Sequence, residues 1–423
     1  MLIPKMMIYR RKVSQVMIAV LIVCIVIYVL LPVYLLKKMN NFEMYKLTEE
    51  RSFYHLYPLL KNNTSISMMS CKEKTNFVFI KCMKCATETL GTVFRRFGYV
   101  RNLTFVTPVG KKLYLGWPFQ MTKSDYRPSK RPFNIIMEHS IYNKTVMEAL
   151  MPADTLYITI IREPYSHFKS VFTYFNLKNI AKVSSNDPFT EYLHHIGKYE
   201  QIYQRHEASS TRYCIPDNFS MTKNLLSHCI GMSLGFPAGT QNITSDADAV
   251  ERYIQQIDKD FSLVMIVEYF HESLILFKRI MCWTFKDIIY WNANVANYVK
   301  KFDPHSDENV KIYQKWSSVD YKLYDHFNKT LWKRIHAQTP DFFSEVQYFT
   351  TVQENVVKFC LKPDLKKLVF NKTVWHEQFE FSTEGCKMLK QKLLEAIQKR
   401  HDEQDHNSVP PTRKPGDRYV PLC

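Results

Sequence analysis

The sequence feature that most constrains the fold is a short, wholly apolar run followed by a turn and an amphipathic helix. The run Phe77–Ile80 has the length and composition of a buried strand. Apolar residues then recur at helical spacing, at Leu90, Val93, Phe94 and Phe97. Such a unit buries its apolar side only against a sheet that it shares with other units.

The same unit occurs a second time, with Thr155–Ile161 as the strand and an apolar stripe from Phe168 to Phe175 as the helix. A third apolar run, Asn134–Met137, has the composition of another strand. Apolar runs and amphipathic helices alternate in this way to about Gln398. We therefore predict an α/β fold with a central, mainly parallel sheet flanked by helices.

An apolar run near the start predicts a membrane anchor. Met17–Leu36 is almost entirely apolar, and a helix of this length spans about 30 Å, one hydrocarbon core. Lys37 and Lys38 follow where a cleavage site would be expected, which favours a retained anchor over a cleaved signal peptide. The predicted organisation is a cytosolic tail (1–16), a transmembrane anchor (17–36), a stem (37–74), a lumenal domain (75–398) and a C-terminal tail (399–423).

Asn-x-Ser/Thr motifs indicate which side of the anchor meets the glycosylation machinery. All of them follow the apolar run, so we predict a type II protein with a lumenal domain. The predicted glycosylation sites are Asn62, Asn63, Asn102, Asn143, Asn218, Asn242, Asn328 and Asn371.

Of the ten cysteines, Cys24 lies within the predicted anchor. The other nine lie in an oxidising compartment and predict disulfides, with at least one cysteine left over. The pairs predicted from proximity alone are Cys214 with Cys229 and Cys360 with Cys386. Cys82 and Cys85 form a CxxC motif, which is typical of redox and zinc sites. Neither a second CxxC nor a histidine pair at metal spacing accompanies it, so we predict no metal site.

The formal net charge of +17 indicates anionic partners. A lumenal domain does not meet genomic nucleic acid, so we expect phosphorylated cofactors, acidic glycans and membrane headgroups instead.

Two turns at strand ends have the residues of anion sites. Between the first strand and its helix, Lys81–Thr89 offers helix N-terminal amides with Lys84 as a point charge, although the glycines of a Walker A loop are absent. At the end of the second strand, Arg162 and Ser170 have the placement to bind a second phosphate. The alternatives are an ordinary turn with surface lysines, an arginine that caps a loop, and a solvated serine.

These segments resemble known motifs. Lys84–Leu90 (KCATETL) resembles the 5′-phosphosulfate loop of Golgi carbohydrate sulfotransferases, and Arg162–Phe172 (REPYSHFKSVF) resembles their 3′-phosphate motif. Leu263–Trp283 and Trp316–Trp332 resemble stretches of the galactose 3-O-sulfotransferase family, which includes galactosylceramide sulfotransferase. The resemblance implies a P-loop-like sulfotransferase fold in the Golgi membrane. It also implies transfer of a sulfuryl group from 3′-phosphoadenosine 5′-phosphosulfate (PAPS) to a sugar hydroxyl, the 3-OH of a terminal β-galactose on a glycolipid or glycoprotein.

The resemblance also implies residue roles. Lys84 neutralises the bridging and leaving oxygens, while Arg162 and Ser170 bind the 3′-phosphate. The predicted 5′-phosphosulfate loop is Lys84, Cys85, Ala86, Thr87, Glu88 and Thr89. Cys85 and Glu88 replace hydroxyl residues of the family pattern, and Glu138 replaces a histidine. These departures support an alternative, a non-catalytic lumenal relative that binds a glycan or nucleotide.

The reaction needs a base, and the third apolar run ends in Glu138 and His139. Histidine titrates nearest neutrality, so we predict His139 as the general base. Glu138 is the alternative base or an orienting group, and a histidine hydrogen-bonded within the sheet is the structural alternative. We expect His167, beside Arg162, to be a solvated helix residue.

Acceptor contacts are less constrained by the sequence. Tyr114, Trp117 and Phe119 are predicted either to stack on a sugar or to belong to the core. Glu268 is predicted either to bind a sugar hydroxyl or to pair with a lysine. A homodimer is left open. A glycosyltransferase would instead use a DxD metal motif, for which Asp246-Ala247-Asp248 is the candidate, and a kinase is excluded because GK[ST] and HRD motifs are absent.

Overall fold

The computed structural model describes residues 71–405, apart from 110–112, 206, 208–214, 292–306 and 363–365. At its centre lies a parallel sheet with the strand order β2-β1-β3-β4. Its strands are β1 (Phe77–Ile80), β2 (Ile135–Ile136), β3 (Leu156–Ile161) and β4 (Leu263–Ile266). The predicted α/β fold with a central parallel sheet is therefore confirmed.

Helices surround this sheet, and a small antiparallel pair, β5 (Lys367–Phe370) and β6 (Phe379–Ser382), lies apart from it. The helices of the described residues are α1 (Thr87–Val100), α2 (Lys144–Glu148), α3 (Pro164–Tyr174), α4 (Leu177–Ile180), α5 (Pro188–His194), α6 (Ile196–Gln204), α7 (Leu225–Cys229), α8 (Ala247–Asp260), α9 (Phe270–Met281), α10 (Phe285–Ile288), α11 (Asp307–Trp316), α12 (Ser318–His336), α13 (Phe342–Leu361), α14 (Thr383–Lys390) and α15 (Leu394–Gln404).

The register of the sheet aligns the ends of its strands. Val78 pairs with Ile136, and Ile80 pairs with Thr159. In the same register His139, three residues beyond Ile136, is level with Lys81, three residues beyond Val78. The segments that follow β1, β2 and β3 therefore meet at one edge of the sheet, where ligands bind in open α/β folds.

Helix α1 packs closely on the sheet through the apolar stripe predicted for it. Leu90, Val93, Phe94 and Phe97 are all buried in the main core. The next residue, Gly98, faces Phe105 and Ile135. A Cβ atom added there would overlap the Phe105 ring and lie 2.6 Å from Ile135 Cδ1. The glycine lets the helix backbone approach β2.

A second apolar cluster packs around α3. Phe168 stacks on Tyr313 of α11, with ring centroids 4.5 Å apart, and it also contacts Phe189 and Tyr192 of α5. This cluster fixes the position of α3, so the backbone of Arg162, just before the helix, is held in place as well.

The described residues contain three disulfides. Cys360 is bonded to Cys386, as predicted. The predicted pairing of Cys214 with Cys229 is wrong, because Cys229 is bonded to Cys82, which lies in the turn after β1. The third disulfide joins Cys71 to Cys282.

No helix among the described residues is long and apolar enough to cross a membrane. The predicted anchor (17–36) lies outside the described residues, as do the tail before it and almost all of the predicted stem. At the other end, α15 extends to Gln404, beyond the boundary expected at residue 398.

The predicted glycosylation sites differ in exposure. Asn62 and Asn63 lie outside the described residues. Asn143 and Asn328 are partly buried: Asn143 caps α2 and donates a hydrogen bond to Gln120, and Asn328 lies within α12. The exposed sites are Asn102, Asn218, Asn242 and Asn371.

The close approach of α1 to the sheet predicts the effect of two matched substitutions. Gly98→Ala should lower the free energy of unfolding by about 1–3 kcal/mol, because the added methyl group overpacks the interface with Phe105. Gly197→Ala on α6 should be neutral or stabilising, because no atom lies within 4 Å of its Cβ position. Denaturant unfolding of the full-length protein measures both values. Equal effects at the two positions would contradict this account of the packing.

Candidate functional site

The turn between β1 and α1 has an unusual backbone. Lys84 and Ala86 both adopt the left-handed conformation, with φ of 60° and 53°. This conformation costs non-glycine residues about 1–2 kcal/mol each. It therefore needs support from surrounding contacts, and the structure supplies them.

Four side chains bind the four consecutive carbonyls of this turn. The hydrogen bonds run from His139 Nδ1 to Lys81 O (2.9 Å), from Thr87 Oγ1 to Cys82 O (3.1 Å), from His167 Nε2 to Met83 O (2.8 Å) and from Arg162 Nη1 to Lys84 O (3.5 Å). In a trans peptide the N–H points opposite to the C=O. The amides of the turn are thereby directed away from these four donors.

The backbone N–H groups at the start of α1 follow directly after this turn. This helix has no side-chain N-cap, and Leu90 is the first residue whose N–H bonds back to the turn, at Ala86 O. The N–H groups of the first helical turn are thus available to an external acceptor, and the helix dipole adds positive potential there. This geometry favours the binding of an anion, and the anion site predicted from the sequence stays a prediction.

Two cations lie beside this helix start. Arg162 contacts the Lys84 carbonyl, and its Nε is buried without a hydrogen-bond partner within the described residues. Lys84 places its Nζ 3.7 Å from the centroid of the Tyr174 ring. Burial, and secondly the charge of Arg162, lower the pKa of Lys84. An anion bound between Lys84 and Arg162 would stabilise both positive charges.

The turn after β3 is built differently from the turn after β1. Glu163 caps α3 by accepting hydrogen bonds from the N–H groups of Tyr165 and Ser166. The amides of that helix are therefore occupied, and Arg162 is the group of this turn that remains for an anion. Ser170 is buried in the second turn of α3.

Glu268, considered in the sequence as a sugar contact or a lysine partner, supports this turn. Its carboxylate accepts hydrogen bonds from Glu163 N at 3.1 Å and from the Tyr324 hydroxyl at 3.3 Å. The partners that the structure gives it are a backbone amide and a tyrosine, rather than a lysine.

A buried ionic cluster underlies the turn. Arg95 binds Glu138 through two hydrogen bonds of 2.8 Å and Glu88 through one of 3.1 Å. Lys81 lies 2.8 Å from Glu88 and 3.5 Å from Glu138. The four charges sum to zero, and Glu88 is turned away from the helix start. An acid in the loop sequence is in this way compatible with an anion site.

The cluster fixes the charge of both acids. Burial alone would raise their pKa values, but Lys81 and Arg95 outweigh it. They hold the pKa of Glu88 well below its usual range and lower that of Glu138 to about 2. Glu138 is therefore a permanently ionised partner of Arg95. This geometry does not fit the alternative in which Glu138 is the base.

His139 has the tautomer that a general base requires. A carbonyl only accepts hydrogen bonds, so Nδ1 must carry the proton that it shares with Lys81 O. Nε2 then holds the lone pair. Burial, with the Lys81 charge adding to it, lowers the pKa of His139 to about 3, so the ring is neutral at physiological pH. The side chain remains partly exposed.

Several predicted loop side chains serve the loop itself. Cys85 is a buried thiol that donates to Met83 O, and burial raises its pKa, so it stays protonated. Cys82 is bonded to Cys229, which rules out a CxxC redox or metal pair. The Thr87 hydroxyl is engaged with Cys82 O. Thr89 is buried in the first turn of α1, and Ala86 contributes only backbone.

The prediction that His167 is solvated is wrong. It is buried, it donates from Nε2 to Met83 O, and burial lowers its pKa to about 4. Sequence reasoning missed its role because a histidine on a helix face gives no sign of its tertiary partner. Its spacing of four residues from the buried Val171 of α3 was the available signal.

The remaining candidates separate into core and surface. Trp117 is buried in the second cluster, while Tyr114 and Phe119 are partly exposed. Asp246, the first acid of the DxD motif, caps α8 by accepting from Ala249 N at 2.9 Å. A helix cap accounts for this motif without a metal.

Comparison with known proteins gives the family. A family model described as Galactose-3-O-sulfotransferase matches residues 4–380. The chain belongs to this family. The resemblance to the galactose 3-O-sulfotransferase family is thereby confirmed, and the glycosyltransferase alternative is wrong.

Individual relatives are moderately similar. Human galactosylceramide sulfotransferase is 30% identical over 276 residues, which cover 63% of this chain and 59% of that protein. Mouse galactose-3-O-sulfotransferase 2 is 28% identical over 306 residues, 70% of this chain and 72% of that protein. Human galactose-3-O-sulfotransferase 3 is 28% identical over 260 residues, 61% and 56%. The match thus spans about three fifths of the first of these relatives.

The buried His167 predicts a pH dependence of stability. Its pKa is depressed in the folded state, so below 6.5 the unfolded chain binds more protons and stability falls toward pH 4. His167→Gln keeps an N–H donor for Met83 O but does not titrate. Between pH 6.5 and 5 the stability of the native protein should fall relative to the variant by up to about 1.4 kcal/mol per pH unit. Parallel curves from denaturant unfolding at each pH would contradict the assignment.

Proposed function

We propose that this protein is a PAPS-dependent sulfotransferase that acts on a terminal β-galactose. The single observation that carries the proposal is the pairing of Lys84 and Arg162 beside a helix start without a side-chain cap, with a buried Arg162 Nε that has no hydrogen-bond partner among the described residues. An anionic ligand satisfies all three features together. Family membership supports sulfuryl transfer as the chemistry.

PAPS fits because it carries anions at both ends of its ribose. The 5′-phosphosulfate binds the amides at the start of α1 together with Lys84, and the 3′-phosphate binds Arg162 and Ser170. A nucleotide without the 3′-phosphate leaves the second cation unpaired. The site therefore distinguishes PAPS from other adenylates by charge.

Transfer follows from this placement. The sugar hydroxyl oxygen attacks sulfur in line, and the bond from sulfur to the bridging oxygen breaks. The leaving group is adenosine 3′,5′-bisphosphate, whose developing charge is stabilised by Lys84 and the α1 amides. The hydroxyl proton passes to Nε2 of His139, while the Lys81 carbonyl accepts from Nδ1 and stabilises the imidazolium that forms.

The acceptor and the location are part of the proposal. The names of the relatives support galactose, on galactosylceramide or on a glycoprotein glycan, with transfer to the 3-OH. The three disulfides and four exposed sequons support a lumenal domain, and the apolar run at 17–36 supports a type II anchor in the Golgi membrane. The experiment below tests this proposal against the alternative of a non-catalytic relative that binds the nucleotide or glycan without transfer.

Substitution of the two cations should separate their roles. Lys84→Ala should lower kcat/KM for sulfate transfer at least 100-fold, because it removes charge stabilisation of the leaving group. Arg162→Ala should weaken binding of adenosine 3′,5′-bisphosphate about 10–100-fold but affect binding of adenosine 5′-monophosphate little. Lys169→Ala is the matched control, because it also removes one positive charge, at a residue of α3 whose Nζ lies over the Tyr165 ring.

The measurements are transfer of radiolabelled sulfate to an array of β-galactosides and calorimetric titration of the two nucleotides. Binding of adenosine 3′,5′-bisphosphate without transfer to any glycan would favour the non-catalytic alternative. An equal loss for both nucleotides in Arg162→Ala would refute the 3′-phosphate contact.

The Cys82–Cys229 disulfide should matter for the donor site in particular. Cys82→Ser with Cys229→Ser frees the turn from α7, whereas Cys360→Ser with Cys386→Ser removes a disulfide between α13 and α14 that includes no residue of the donor turn. Each pair should lower stability by about 2–5 kcal/mol. The first pair alone should also weaken binding of adenosine 3′,5′-bisphosphate, about tenfold or more. If the two double variants bind adenosine 3′,5′-bisphosphate equally well, the Cys82–Cys229 disulfide contributes to stability alone.

A further inference from the structure

The proposed function leaves the acceptor side of the site without residues, and Tyr114 is the side chain placed to fill it. The segment around Tyr114 runs parallel to the end of β2 and forms a bridge with His139, and Leu115 N donates to His139 O at 2.8 Å. The rings of Tyr114 and His139 lie 5.4 Å apart. Both side chains are partly exposed, so they present neighbouring surfaces at the same edge of the sheet.

The Tyr114 ring is supported by a stacked neighbouring ring. Trp117, which is buried, stacks against it with centroids 5.5 Å apart and planes inclined by 30°. Trp117 packs in turn against the buried Phe219. A ring supported in this way loses little conformational entropy when a ligand stacks on its other face.

One short helix supports both halves of the site. In α7, His228 donates from Nε2 to Pro118 O at 2.8 Å, next to Trp117, while Cys229 is bonded to Cys82 in the donor turn. Cys229 O also accepts from Tyr142 N, just beyond His139. The aromatic segment, the base and the donor turn are therefore held in one fixed relation.

The position of His139 limits what can lie over Tyr114. Since Nδ1 is bonded to Lys81 O, an acceptor hydroxyl must approach Nε2, and the molecule that carries it lies within contact distance of a ring 5.4 Å away. An aromatic ring with an apolar face and a polar tip suits a pyranose, which has an apolar C–H face and hydroxyls at its rim.

We propose that Tyr114 is the acceptor-binding residue of this protein, stacking against the neutral hexopyranose whose hydroxyl is held at His139, with Trp117 as its support. This inference rests on the proposed function and deepens it by naming the acceptor contact. The exposed Tyr174, which lies against Lys84, provides the contrast, because its ring belongs to the donor side.

The experiment compares Tyr114→Ala, Tyr114→Phe and Tyr174→Ala in the full-length protein, with lactose as acceptor and PAPS as donor. Tyr114→Ala should raise the KM for lactose at least tenfold and leave the affinity for adenosine 3′,5′-bisphosphate within twofold. Tyr114→Phe keeps the ring and should recover most of that loss. Tyr174→Ala should show the reverse pattern, with weaker nucleotide binding and an acceptor KM close to that of the native protein.

The outcomes separate this inference from the function on which it rests. If the native protein transfers sulfate to no β-galactoside, the proposed function fails. If it is active and Tyr114→Ala keeps its lactose KM, or loses kcat and nucleotide affinity instead, Tyr114 does not bind the acceptor. Should Tyr114→Ala fold poorly, Tyr114→Leu with nucleotide affinity as the folding control gives the same comparison. Phe343→Ala, at an exposed aromatic residue of α13, controls for the loss of a ring as such.

Discussion

The site depends on the direction of four peptide groups. In the turn 81–84 each carbonyl is bound by a side chain, three of them from distant segments and one from Thr87 of α1, so the peptide N–H groups point away from these donors. Their direction makes a loop without glycine an anion site, although two of its residues adopt the left-handed conformation. The cost of that conformation is offset by these four hydrogen bonds, two of which are buried and two partly buried.

The ionic cluster shows how this chain accommodates an acid in its loop. The charge of Glu88 would repel a phosphosulfate. Lys81 and Arg95 form ion pairs with Glu88, and Arg95 also pairs with Glu138. Residues that look like departures from the family pattern when read singly form a neutral, buried set when seen together. The same ion pairs keep Glu138 ionised, which leaves the neutral His139 as the proposed proton acceptor at the end of β2.

Helix α7 connects the parts of the site that sequence distance separates. Through Cys229 and His228 it holds the donor turn, the segment after His139 and the aromatic segment near Trp117. The N-terminus of α7 is held in turn by the buried Asp320, which accepts from the N–H groups of Leu226 and Ser227. Catalysis by positioning requires such rigidity, because reactants must be aligned before transfer.

The sequence by itself determined the parallel sheet, the two strand–turn–helix units, the pairing of Cys360 with Cys386 and the placement of Lys84 and Arg162 at strand ends. These follow from periodicity and short-range chemistry, which act over a few residues. Only the tertiary structure decided that Cys229 bonds to Cys82, that His167 is buried, that Glu88 turns away and that Trp117 supports Tyr114. The contacts of Glu88 and Trp117 join residues at most seven positions apart, but they depend on side-chain directions that the fold decides. The partners of Cys229 and His167 lie 147 and 84 residues away, and a local pattern contains no information about which distant group it will meet.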